Sequence, residues 1–244
     1  MFPTPNRFGS LAKGVREHAA TNMNALTIAI SGGGIGGLAT ALALHQRGFT
    51  VQVFEQASEF KEIGAGIQLG PNVFKMFDRL GITEKISARA VFPDNLAVMD
   101  SVTGEPIVLI PVKGTFRERF RNPYALIHRA DLHSVLLEEC LRREGISLFA
   151  GTKVTGFRDH GDRVDVELAT GEHREAAALI GADGLWSSIR EGIVADGPPR
   201  VSGHIAYRAV LPIAEVPEHL RLNNMTLWAG RSEEHTSELQ SRLH

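Results

Sequence analysis

The chain has 244 residues, 43% hydrophobic and 22% charged, with a formal net charge of −2. That balance suits one large or two modest globular domains and excludes the basic excess expected of a nucleic-acid or anionic-membrane binder. A single cysteine excludes an internal disulfide framework and fits a reducing cytoplasm, and no apolar run reaches the length of a membrane span. That cysteine, Cys140, stands among Leu136, Leu137 and Leu141 and reads as a core thiol on a helix.

Residues 1–22 are polar, punctuated by Gly and Pro, and aperiodic. They read as a disordered or non-native extension, with Met23 as the expected natural start and no signal-peptide pattern. Leu26–Ile30 is a β-branched run of strand length, and Ser31–Gly37 follows as an almost pure glycine turn. Leu38–Arg47 then has the small-residue pattern of a helix that packs closely on a sheet.

Gly32, Gly34 and Gly37 fill the G-x-G-x-x-G positions: a tight turn, a backbone open to a pyrophosphate, and a close helix–strand contact. Backbone N–H groups at Ile35 and Gly36 are expected to donate to phosphate, because a helix N-terminus leaves its first donors unpaired. After Gly48, Thr50–Phe54 predicts a second strand ending in Glu55, about 20 residues beyond the first glycine. A carboxylate there grips ribose hydroxyls and repels a 2′-phosphate, so FAD or NAD is favoured over NADP.

Glu62–Ile82 places Gly64, Gly66 and Gly70 in an expected backbone-exposing loop, with Gln68 on it, before a helix over Asn72–Leu80. Leu96–Met99, Pro106–Ile110 and Phe116–Phe120 read as short strands. Arg129 opens a helix through Ala130–Arg143 whose apolar face carries Leu132, Val135, Leu136 and Cys140. Val154 lies on a strand after Gly151, and Gly161-Asp162 marks a hairpin turn.

A second glycine turn follows the strand Ala178–Ile180: Gly181-Ala182-Asp183-Gly184, ahead of a helix over Ser187–Ile193. Such a turn exposes backbone N–H groups, and Asp183 either holds ribose hydroxyls or caps that helix as an Asx-type turn. Beyond Pro199, the alternation from Val201 through Leu211 predicts another strand, with His204, Tyr207 and Arg208 on it. Residues 231–244 lose apolar content abruptly, and Arg231–Ser241 resembles the in-frame translation of a sequencing adapter. They are expected to be an artefactual tail. The ten histidines are scattered without metal-ligand spacing, so no metal site is expected.

Four stretches together, the first glycine turn, "GAGIQLGPN", "YALIHRADLHSVLL" and "LIGADGLWSSIR", resemble the single-component flavoprotein aromatic hydroxylases, the family of p-hydroxybenzoate and salicylate hydroxylases. The resemblance runs from Ala25 to Gly230. It implies an α/β fold: a Rossmann-like FAD-binding domain with an interleaved, mostly antiparallel substrate sheet, here C-terminally truncated. On that reading residues 23–92 and 123–198 form the FAD domain, and 93–122 with 199–230 supply substrate strands.

It further implies FAD as cofactor, NADH as co-substrate, O₂ as oxidant and a phenolic aromatic acid as substrate. Gly32, Gly34, Ile35, Gly36, Gly37, Glu55 and Asp183 fall on the adenosine-diphosphate side. Gln68 matches a place beside the flavin ring, Arg129 one that reaches the flavin, and Val154 a backbone contact to adenine. His204, as a base for the phenol, and Tyr207, as a hydrogen-bonding partner, are the catalytic candidates. A phenol with a pKa near ~10 is mostly neutral at pH 7, and a histidine near ~6.5 is suited to deprotonate it. On a regular strand, however, residues three apart face opposite sides, so the pair needs a bulge. Two alternatives remain: an inactive nucleotide-binding fragment, as which the 244-residue chain itself is expected to behave, and a reductase or halogenase of the same fold. Oligomeric state is not legible.

Overall fold

A computed structural model describes residues 26–62, 64–203, 211–230 and the strand at 238–240. The chain forms two compact units, residues 1–61 with 136–201 and residues 62–135 with 202–244.

In the first unit, β1 (Thr27–Ser31) leads through the glycine turn into α1 (Ile35–His45) and then β2 (Thr50–Phe54). β7 (Ile146–Phe149) and β11 (Ala178–Gly181) complete a four-stranded sheet in the order β11-β1-β2-β7, every pair parallel. Parallel strands with a helical crossover need both faces covered, which explains the unbroken apolar run of β1, where Ala29 and Ile30 are fully buried. Leu38, Ala41 and Leu42 of α1 are fully buried as well.

A three-stranded antiparallel sheet, β10-β9-β8, joins β8 (Val154–Asp159), β9 (Val164–Leu168) and β10 (His173–Ala176). The hairpin turns put Gly161 at φ +90° and Gly171 at φ +82°, where a side chain would be strained. Ala29 and Phe54 from one sheet meet Val154, Val166, Leu168 and Ala176 from the other in a single core, closed by Ile189. Phe54 stacks on Phe149 with ring centroids 5.2 Å apart.

The second unit begins with β3 (Gly66–Leu69), which pairs antiparallel with β6 (Ala125–His128). Half of the stretch expected to be a glycine loop is therefore a strand. Ile67 and Leu69 alternate with Gly66 and Gln68 there, a period-2 signal masked by the glycines. α2 (Pro71–Leu80) starts on a proline and stops at Gly81, in the left-handed conformation at φ +71°, and buries Phe74, Phe77 and Leu80. α3 (Thr83–Ser87) follows.

β4 (Asn95–Asp100) and β5 (Pro106–Pro111) pair antiparallel, and β12 (Asn224–Ala229) joins β4 in parallel from more than a hundred residues away. Asn95 and Asn224 share a side-chain hydrogen bond of 3.0 Å across that pair. The strand expected at Phe116–Phe120 is instead a helix, α4 (Thr115–Phe120). Phe116 and Phe120, four apart, bring their rings to 4.6 Å, so the aromatic spacing served a helical turn rather than a strand face. Of residues 231–244 only β13 (Glu238–Gln240) is described, antiparallel to β12. An open sheet edge accepts any extended segment that reaches it, whatever its origin.

α5 (Arg129–Leu141) contains the position where the two units divide. Leu132, Val135, Leu136 and Cys140 are all buried on it, as the periodicity predicts. The Cys140 Sγ lies 3.5 Å from the Leu38 carbonyl oxygen, and burial pushes the thiol up to about 12. It is a core thiol with no thiolate character at neutral pH. α6 (Ser188–Val194) closes the first unit.

Candidate cofactor site

The two glycine turns pack directly on each other. Ser31 O accepts the Ala182 N–H at 2.7 Å, and Gly32, at φ +106°, presses its bare α-carbon against the same peptide. A side chain on Gly32 would sit 2.8 Å from Asp183 N and closer still to the Ala182 carbonyl. This position must be glycine for two reasons, its conformation and its neighbour. Gly37 is constrained in a similar way: a Cβ there would lie 3.0 Å from the Gly32 carbonyl carbon and collide with its oxygen. Gly36 differs, for a Cβ there would meet nothing within 4 Å. Its open side faces away from packed protein at the start of α1.

α1 begins from Gly34 as N-cap, with no side-chain cap and no acidic residue in its first turn. The N–H groups of Ile35, Gly36 and Gly37 have no acceptor within their own helix, and the positive end of the helix dipole lies there. An anion is the natural partner for such an end. The Glu55 carboxylate lies at the end of β2, where one oxygen accepts the Gly33 N–H and the other the Ala57 N–H, each at 2.8 Å. It therefore shapes the flank of the turn without occupying the helix-terminal donors.

Asp183 uses its carboxylate internally. Oδ1 accepts from Ser187 Oγ at 2.5 Å, and Oδ2 accepts the Ser188 and Ile189 N–H groups at 3.0 and 3.4 Å. Ser187 Oγ in turn accepts the Arg190 N–H at 2.9 Å as the N-cap of α6. Of the two roles expected of Asp183, the side chain performs the capping one, and its backbone borders the cleft.

These elements enclose an open cleft of about 370 Å³, within the range of small-ligand sites. Ser31, Gly32, Gly34, Glu55, Val154 and Asp183 line it, all belonging to the first unit. Five of the sequence-predicted cofactor residues are thereby brought together, with Ile35, Gly36 and Gly37 on the adjoining turn of helix. The donor set fits an adenine dinucleotide: free helix-end N–H groups for a pyrophosphate, an unhindered glycine beside them, and an acid for ribose hydroxyls. Gln56, Thr152, Lys153 and Trp186 also line the cleft. Sequence reasoning assigned them no role.

Arg129 and Gln68 belong to the second unit. Arg129 is the first residue of α5, where its N–H donates to Ala65 O at 3.3 Å and Nη2 donates to both Glu62 oxygens at 3.1 and 3.2 Å. A Cβ on Gly64 would stand 2.9 Å from the Arg129 Cβ, so the glycine makes room for the arginine stem. Gln68, exposed on β3, accepts a hydrogen bond from the Tyr124 hydroxyl. His204 and Tyr207 lie outside the described residues. Among the described residues no helix is long and apolar enough to cross a membrane.

Residues 25–226 match a family described as FAD binding domain. The chain is 46% identical over 203 residues to 3-hydroxybenzoate 6-hydroxylase 1 of Aquipseudomonas alcaligenes, covering 83% of this chain and 52% of that protein. It is equally 46% identical, over 205 residues, to 3-hydroxybenzoate 6-hydroxylase of Polaromonas naphthalenivorans, covering 84% of this chain and 51% of that one. Among solved structures, an HpxO variant from Klebsiella pneumoniae complexed with FAD superposes with a TM-score of 0.70 at 25% identity, covering 84% of this chain and 51% of that one. The chain spans about half the length of the curated relatives it matches. An α/β mixed-sheet fold, two glycine turns meeting in one cleft and these matches agree: the chain belongs to the FAD binding domain family of flavoprotein aromatic hydroxylases.

Proposed function

We propose that the protein carrying this chain is an FAD-dependent monooxygenase that hydroxylates a phenolic aromatic acid of the hydroxybenzoate type, using NADH and O₂. The observation that carries this reading is the meeting of the two glycine turns, Ser31–Gly37 and Gly181–Gly184, in a single cleft with Glu55 at its flank. The identity to two 3-hydroxybenzoate 6-hydroxylases supports the substrate class.

In this reading Gly32 and Gly34 shape the turn, and the Ile35, Gly36 and Gly37 N–H groups hold the pyrophosphate. Glu55 orients ribose hydroxyls and rejects a 2′-phosphate, Val154 borders the adenine, and the Asp183 turn fixes the far wall. Arg129, held by Glu62, is assigned to the flavin, and Gln68 to a place beside the flavin ring. His204 takes the phenolic proton and Tyr207 orients the substrate oxygen. When bound, FAD supplies electron transfer from NADH and activation of O₂. The sheet of β12, β4 and β5 is read as the substrate-covering sheet, and a cytoplasmic location is favoured by the reduced, buried Cys140.

The test is NADH oxidation by the purified protein with 3-hydroxybenzoate under ¹⁸O₂. We expect hydroxybenzoate-stimulated NADH consumption and one ¹⁸O in a dihydroxylated product. Consumption without ¹⁸O in the ring overturns the monooxygenase reading in favour of a reductase.

A further inference from the structure

We propose that Trp186 is a nucleotide-contacting residue whose indole packs on the adenine end of the dinucleotide in this cleft. The inference rests on the reading of the cleft as an adenine-dinucleotide site and adds a residue that the glycine motif does not specify. Three observations converge on it.

First, the mount is rigid. Asp183 ties down Ser187, Ser188 and Ile189, and Gly184 turns the chain at φ +77°, so Trp186 is held between two fixed points. Second, this segment exposes several apolar side chains, Leu185 at 68%, Trp186 at 73% and Ile193 at 69%, and of these Trp186 is the one that lines the cleft. A rigidly held, solvated indole bordering a cleft is the arrangement expected of an aromatic group kept for a ligand face. Third, the cleft it borders contains a carboxylate, Glu55, and an ammonium group, Lys153, around a floor of glycine and Val154. Of the parts of an adenine dinucleotide, the base is the flat π-surface for an indole to stack on, an interaction that is strong and tolerant of base identity.

FAD and NADH share this adenosine diphosphate end, so ADP is the probe. It also lacks the flavin absorbance that would quench tryptophan emission without contact. Trp186 and Trp228 are the two tryptophans of the chain, so Trp228→Phe leaves Trp186 as the sole emitter. We expect its emission to shift on ADP addition, saturating with the Kd that equilibrium dialysis gives. Trp186→Ala is expected to weaken ADP binding in dialysis roughly tenfold, and Trp186→Phe to stay within about threefold, with urea midpoints unmoved. Displacement of ADP by FAD at lower concentration than NADH assigns the site to the flavin cofactor, and the reverse assigns it to NADH.

Dialysis of Trp186→Ala and Trp186→Phe against the unaltered chain decides the matter even if Trp228→Phe fails to fold. ADP binding that is indifferent to Trp186→Ala overturns the role of Trp186 and leaves the cleft reading intact. A folded chain that binds no ADP in dialysis overturns both.

Discussion

Glu55 Oε2 accepts the Gly33 N–H at 2.8 Å, tying the last residue of the β1-α1-β2 unit to the middle of its glycine turn. The other oxygen holds the Ala57 N–H, also at 2.8 Å, so one carboxylate fixes the backbone on both sides of the cleft rim. Glu55→Ala leaves both donors without this acceptor. It is expected to cost about 1–3 kcal/mol in urea unfolding, the range for hydrogen bonds to a charged acceptor. By calorimetry, 5′-ADP is expected to bind the unaltered chain more tightly than 2′,5′-ADP, and Glu55→Ala is expected to narrow that gap.

Gly36 and Gly37 are neighbours with opposite expectations. Gly37→Ala drives a methyl into the Gly32 carbonyl, backbone against backbone, and is expected to destabilise the fold by about 3 kcal/mol. Gly36→Ala meets open space, and on helix propensity alone is expected to leave the unfolding free energy in urea unchanged or raised by up to ~1 kcal/mol. Its methyl would nonetheless stand where the phosphate approaches the helix end. FAD retention on gel filtration should therefore fall in a variant that is fully folded.

Asp183→Ala removes the acceptor shared by Ser187, Ser188 and Ile189. We expect a loss of about 1–2 kcal/mol, the usual cost of a helix cap, measured as a lower urea midpoint. Asp183→Asn retains one acceptor oxygen and should recover part of it.

Cys140 gives a pH prediction with a definite sign. The thiol ionises near 9.0 when unperturbed and is pushed up to about 12 by burial, with Arg143 opposing the shift. The folded state therefore favours the protonated form, and its advantage is fully present below pH 9. From there toward pH 12 the unfolded chain loses a proton that the folded chain keeps. Stability should fall across that window by at most ~1.4 kcal/mol per pH unit from this group. Urea midpoints of the unaltered chain and Cys140→Ala, compared from pH 8 to 10.5, check it: the variant should lose less. The native thiol should also resist a thiol reagent at pH 8 until the chain is unfolded.

The parts of the structure most legible from sequence were those where one local signal had one physical outcome. The β1-turn-α1-β2 unit was readable because an apolar run, three spaced glycines and a closing acid each serve one contact. α2 was readable over Asn72–Leu80, and the structure adds Pro71 as its first residue, with Gly81 stopping it. Thr115–Phe120 was misread because two phenylalanines four apart, separated by charges, fit a short strand as well as one helical turn. The deciding features were backbone ones, Gly114 at φ +53° and Arg121 at φ +63°, which composition does not reveal. Asp183 shows the same limit within the site. An acid in a glycine turn predicts both a cap and a ligand contact, and the carboxylate turned inward because Ser187 and Ser188 supply donors close by. Trp186 was missed because its significance lies in a combination of exposure and rigidity, and neither is visible in a string of letters.

The parallel pairing of β4 with β12 has a consequence for how the polypeptide is made. Asn95 waits for Asn224, 129 positions further along the chain, and everything between them must leave the ribosome first. At ~5–20 residues per second that interval is on the order of ten seconds, during which β4 and the apolar strand β5 emerge without their partner. Nascent chains stalled before and after residue 229 should differ sharply in protease resistance at Leu96–Ile110. The second unit is thus a late-closing one, and chaperone capture during synthesis would concentrate on its first half.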